Sequence, residues 1–140
     1  MFWLLGGFIL LVIILIVRKT AIGKLKKSKS IIYNNKTNTF IYKQKPIIFE
    51  KELHSLFVFL INNQNQFILL DKINELFTSG DIQESYITIN KRRDTAVNKL
   101  IFTLKTVLNK EKSEIIIERK NAKDKRVKEI KLGISVQVIE

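Results

Sequence analysis

Asn90–Lys110 reads NKRRDTAVNKLIFTLKTVLNK. Val97, Leu100, Ile101, Leu104 and Leu108 fall three and four apart, which predicts a helix of about Asn90 to Lys110 with one apolar stripe. Arg92, Thr95, Lys99, Phe102, Thr103 and Thr106 lie on the other side. Three cations in a row, Lys91-Arg92-Arg93, occupy the expected first turn, where helix N–H groups also favour anions. One face of this helix is built for a core and the other is polar and basic.

Downstream, Glu114–Arg119 (EIIIER) and Arg126–Leu132 (RVKEIKL) read as two strands joined by a turn at Asn121-Ala122-Lys123-Asp124. They form a hairpin with a strongly basic tip. Gly133 breaks it, and Ile134–Ile139 (ISVQVI) alternates as another strand or a tail. Upstream, Glu50–Asn62 is a helix carrying Leu53, Leu56, Phe57, Leu60 and Ile61 at helical spacing. Asn62–Gln66 ends it. Asp71 reads as the N-cap of a second, short helix to Phe77, stopped by Ser79-Gly80-Asp81. Before these, Ile31-Ile32-Tyr33, Thr39–Lys43 and Ile47-Ile48-Phe49 read as short strands, with NNKTN and Pro46 as punctuation.

The first segment is of another kind. Phe2–Val17 (FWLLGGFILLVIILIV) holds no charge and is apolar all round. Sixteen helical residues span about 24 Å against a hydrocarbon core of about 30 Å, and Arg18 can snorkel. No basic residue precedes the run and no small-x-small cleavage site follows it, so a transmembrane anchor is expected and not a cleaved leader. Arg18, Lys19, Lys24, Lys26, Lys27 and Lys29 follow with no acid before Glu50. Positive flanks stay inside, so the expected location is the inner (cytoplasmic) membrane, single-pass, with the C-terminal domain in the cytoplasm. The expected division is 1–19 anchor, 20–30 basic juxtamembrane linker and 31–140 folded domain.

Composition narrows the chemistry. The 140 residues include no cysteine and one histidine, His54. Disulfides, thiolate metal sites and cysteine nucleophiles are excluded, and His54 reads as a surface or boundary residue. Asp71 and Glu75 read as a cap plus a solvated face, not an acid pair. With no nucleophile–base pair, phosphate-cradling glycine loop or metal cluster in the sequence, the protein is expected not to be an enzyme and to need no cofactor or metal. Lys+Arg exceed Asp+Glu by 25 against 13, a net of +12. The excess is localised: residues 46–90 hold 2 basic and 6 acidic side chains, while residues 91–132 hold 14 and 6. The long helix and hairpin therefore carry the positive charge, and the fitting partners are nucleic acid or anionic lipid.

Short strands, two helices, a long helix and a hairpin, in that order, give the expected fold class. It is α+β, a winged helix-turn-helix with short N-terminal strands, three helices and a C-terminal hairpin wing, preceded by one transmembrane helix. Such a fold lays its third helix in the major groove and its wing on the backbone. The expected DNA-binding residues are Lys91, Arg92, Arg93, Thr95, Lys99, Thr103 and Thr106 on the helix. On the hairpin they are Arg119, Lys120, Lys123, Lys125 and Arg126. The cations neutralise phosphate, while Arg92, Lys99 and the threonines can reach base edges. Phe102, apolar on the polar face, can pack under the hairpin, meet a thymine methyl or sit at a dimer interface.

Over residues 31–132 the chain resembles the effector domain of OmpR/PhoB-type response regulators, also found membrane-anchored in ToxR-like regulators. Ile101, Leu104 and Leu108 match the family's I-x-x-L-x-x-x-L helix pattern. Thr103, Thr106 and Val107 stand where the family carries arginines, and KRVKEIKL replaces its glycine-and-aromatic strand. The resemblance implies a DNA-binding transcriptional regulator of a bacterial type. The expected partners are double-stranded DNA, the membrane, and a second copy or a regulatory protein. The competing expectation is a membrane-anchored adaptor whose domain binds protein or anionic lipid.

Overall fold

A computed structural model describes residues 30–78 and 83–140. The elements in chain order are β1 (Ile31–Asn34), β2 (Thr39–Tyr42), β3 (Lys45–Ile47), α1 (Lys51–Asn62), β4 (Ile68–Leu69) and α2 (Leu70–Asn74). Then come α3 (Tyr86–Leu108), α4 (Lys112–Ile115), β5 (Ile116–Lys120), β6 (Lys128–Leu132) and β7 (Val136–Ile139). One sheet has the order β3-β2-β1-β7 and the other β4-β6-β5.

The apolar stripes meet in one core. Leu53, Leu56, Phe57, Leu60 and Ile61 of α1 are buried, as their spacing requires. They join Val97, Leu100, Ile101 and Leu104 of α3 and Ile115, Ile116, Ile130 and Leu132 around the hairpin in a single cluster. Phe40 ties the first sheet to α1, stacking on Phe57 at 4.8 Å and on Tyr33 at 4.7 Å between ring centroids.

The expected winged helix-turn-helix of three helices and a terminal hairpin, behind a membrane-spanning helix, is corrected. The described residues form an α+β fold of four helices and two sheets. No helix among them is long and apolar enough to cross a membrane. The anchor expected over 1–19 and all of the expected linker except Ser30 lie outside the described residues, as does the Ser79–Asp81 stop.

Three additions account for the rest of the difference. First, α4 is a single turn closed by a capping box between Glu111 and Glu114, too short for apolar periodicity to show. Second, β4 adds a third strand to the hairpin, pairing Ile68 with Ile130. Third, the residues after Gly133 run parallel to β1, with Ile31 opposite Val136 and Tyr33 opposite Val138. The C-terminal strand therefore completes the N-terminal sheet.

Two boundaries also move. The long helix begins at Tyr86, not Asn90, because Ser85 caps it by accepting a hydrogen bond from the Thr88 N–H at 3.2 Å. Lys91–Arg93 thus lie beyond the first turn, away from the free N–H groups of the helix start. The second helix begins at Leu70, one residue before Asp71. Asp71 is not its cap and instead accepts a 2.6 Å hydrogen bond from the Tyr86 hydroxyl, which holds that phenol above its ordinary pKa.

Candidate nucleic-acid interface

A 3.6-residue repeat turns Lys91, Thr95, Asn98, Phe102 and Thr106 onto one stripe of α3, and all five are exposed. The opposite stripe is the buried one, so core packing fixes which side chains α3 offers to solvent. Among the described residues Lys91 has no ion pair, and the Thr95 and Asn98 side chains have no hydrogen-bond partner. Thr103 and Thr106 donate their hydroxyl protons back to the helix, to Lys99 O and Phe102 O, each at 3.0 Å. Lys99 Nζ stands 3.9 Å from Glu50 at the start of α1.

The two arginines of the expected basic turn point elsewhere. Arg92 Nη2 donates to Glu52 of α1 at 2.7 Å, while Nη1 donates to Glu84 at 3.1 Å and to Phe77 O at 3.1 Å. The Glu52 and Glu84 carboxylates raise its pKa further. Arg93 is 6% exposed. Its Nη1 donates to Asn74 and Asn90, both at 3.1 Å, and its Nη2 donates to Asp94 at 2.8 Å. Arg92 thus joins α1 and the segments flanking α2 to α3, and Arg93 fixes α2 against α3. Glu52 lies 40 residues from Arg92 along the chain, so nothing local in the sequence signals the pair.

The hairpin has two unlike faces. Arg119, opposite Glu129, lies on one. Arg119 donates to the buried Glu129 at 2.7 Å and stacks its guanidinium 3.6 Å over the Phe67 ring. Asn121 also donates to Glu129. The Arg119 hydrogen bond, with help from Asn121, holds that carboxyl below the usual range against the effect of its burial. On the other face are Glu118, Ile130, Lys120 and Lys128, by strand alternation. Glu118, Lys128 and Ile130 line a groove of about 400 Å³ whose far wall is Asp94, Val97 and Asn98 of α3. The hairpin therefore flanks the exposed stripe of α3 along its Asp94–Asn98 edge.

Lys120 and Lys128 stand directly opposite each other at the outer end of this face. Beyond them the tip is ordered by Asn121, whose side-chain oxygen accepts from the N–H groups of Lys123 and Asp124 at 2.8 and 3.0 Å. Arg126 pairs with Asp124 at 3.1 Å and holds that carboxyl below its ordinary value. Lys120, Lys123, Lys125 and Lys128 are exposed and make no ion pair among the described residues.

Of the twelve residues expected to bind nucleic acid, Lys91, Thr95, Lys120, Lys123 and Lys125 are thus exposed and have no side-chain partner among the described residues. Arg92, Arg93 and Arg119 are held by the fold's own carboxylates, and of the three only Arg93 is buried. Lys99 and Arg126 are exposed beside a carboxylate, and Thr103 and Thr106 are bonded to their own helix. Sequence reasoning passed over Asn98 and Lys128. The first was legible as the stripe position between Lys91 and Phe102, the second as the basic residue across from Lys120.

His54 Nε2–H donates to Asn38 O at 3.1 Å, and the ring packs edge-on to Phe40. Among the described residues no group of three or more His, Asp or Glu could hold a metal ion. Comparison of the chain with protein-family models, curated proteins and solved structures finds no match.

Proposed function

We propose that this domain binds duplex DNA as a transcriptional regulator. The exposed stripe of α3 enters the major groove and the basic hairpin rests on the flanking phosphates. The observation that carries the reading is the Lys120–Lys128 pair on the α3 side of the hairpin. Like charges opposite each other across two strands weaken a hairpin. Residues 120–128 nevertheless hold five cations and one carboxylate. A line of phosphates relieves that repulsion and gains from counterion release. Phosphate contact by the tip positions the protein, and the α3 stripe is left to meet base edges.

Binding of the full chain to a mixed-sequence 20-base-pair duplex tests the proposal. With about five phosphates neutralised, affinity falls about 10²- to 10³-fold between 50 and 200 mM salt. Replacing Lys120, Lys123 and Lys125 by alanine lowers the log–log salt slope by about one per lysine. Salt-insensitive binding, or an unchanged slope in the triple variant, contradicts it.

A protein-docking role is the second reading. It is favoured by two large apolar side chains left in solvent, Ile48 just after β3 at 88% exposure and Phe102 on α3 at 73%. A chain that fails to shift duplex while holding its fold supports this reading over the first.

A further inference from the structure

We propose that the α3 stripe selects A·T base pairs in the major groove, with Asn98 as the adenine reader and Phe102 as the contact for the thymine methyl. The inference rests on the DNA reading above and names the class of sequence that the same surface takes. Its basis is which polar groups the fold leaves free. Guanine is read by a guanidinium or ammonium reaching O6 and N7. The arginines of α3, Arg92 and Arg93, are bound to Glu52, Glu84, Asn74, Asn90 and Asp94 and cannot reach a base without breaking the fold's own pairs. Lys91 is free but stands at the N-terminal end of the stripe, nearly two turns from Asn98, and Lys99 lies at the edge of the stripe, beside Glu50. The free groups along the middle of the stripe are the Thr95 hydroxyl, which suits either base pair, and, four residues apart on one face, the Asn98 amide and the Phe102 ring.

An amide has one donor and one acceptor side by side, which match adenine N7 and the N6 amino group as a bidentate pair. It has no such match on guanine, whose O6 and N7 both accept. A solvent-exposed phenyl ring has nothing to gain from a cytosine amino group and buries apolar area against a thymine methyl. Both preferences select the same base pair. Asp94 does not oppose this, because its Oδ1 accepts twice from Arg93, at 2.9 and 2.8 Å, on the hairpin side of the stripe.

The test uses the full chain and two 20-base-pair duplexes alike in their ends, one with an A·T centre and one with a G·C centre. The A·T duplex is expected to bind more tightly by about 5- to 150-fold, the range of one good bidentate pair. Asn98→Ala collapses that ratio while leaving the salt slope unchanged. Replacing the central adenines by 7-deaza-adenine weakens the parent chain and leaves Asn98→Ala indifferent. Replacing thymine by uracil weakens the parent and leaves Phe102→Ala indifferent. Equal affinity for the two duplexes, or an A·T preference that survives Asn98→Ala and 7-deaza substitution, overturns this inference and leaves DNA binding standing. Failure to bind either duplex overturns both.

Discussion

Arg92 and Arg93 both hold the fold together, while Lys123 and Lys125, two elements away, make no ion pair among the described residues. The difference is burial and partner. Arg93→Met removes four hydrogen bonds and leaves the buried Asn74 with a free carbonyl oxygen. It should destabilise the domain by about 1–3 kcal/mol in urea unfolding, and Lys125→Ala should leave stability within about 0.5 kcal/mol. Equal stabilities would remove Arg93 from its structural role. Basic side chains are visible in a sequence, but which of them find carboxylates is a matter of tertiary distance. That is why the expected site mixed free and engaged cations.

Glu129 belongs to the same scale. Arg119 and Asn121 hold its folded pKa below the ordinary glutamate value. The sign follows: the stabilisation is full above the unfolded pKa and is lost as pH falls through the folded one. Hairpin amides should therefore lose protection from exchange below about pH 4, before the α1–α3 core does. In Glu129→Gln that acid step should be flattened. A Glu129 carboxyl titrating at or above the ordinary range would contradict the assignment.

At the scale of elements, α3 shows what periodicity can and cannot reveal. Its buried stripe is fixed by residues three and four apart, and Val97, Leu100, Ile101 and Leu104 pack where that spacing puts them. Its first turn is less plainly marked: Tyr86 and Ile87 are exposed there, Ile89 joins the buried stripe, and the Ser85 cap fixes the start. Leu100→Ala should cost about 2–5 kcal/mol by opening a cavity against α1, whereas Phe102→Ala should change stability by less than about 0.5 kcal/mol. A large loss from Phe102→Ala would mean that its ring is packed and is not offered to a partner. Gly133 sets the junction after β6. Its N–H donates to Ile115 O at 2.8 Å, and a side chain there would meet the Glu114 carbonyl. Gly133→Ala should cost about 1–3 kcal/mol through the forced backbone shift, read as a lower urea midpoint.

At the scale of the whole molecule, the two ends of the described chain share one sheet. The alternation in ISVQVI marks a strand, but the choice of β1 as its parallel neighbour depends on where the helices deliver the chain, which no local pattern encodes. Gln64 secures the return by donating to Val136 O at 3.3 Å and accepting from Val136 N–H at 3.1 Å. Removing residues 134–140 exposes the partners of Ile134 and Val136 and should lower stability by about 3–6 kcal/mol. An unchanged unfolding midpoint would show that β7 is dispensable.

The same global arrangement sets the α3 stripe and the basic hairpin side by side, and on this the functional account depends. Titrating the full chain with a short A·T-centred duplex, and following backbone amide shifts by NMR, tests it most directly. The account predicts shifts concentrated at Lys91–Thr106 on the exposed side of α3 and at Lys120–Lys128. Shifts confined to the sheet of β3, β2, β1 and β7, or spread evenly over the surface, would contradict it.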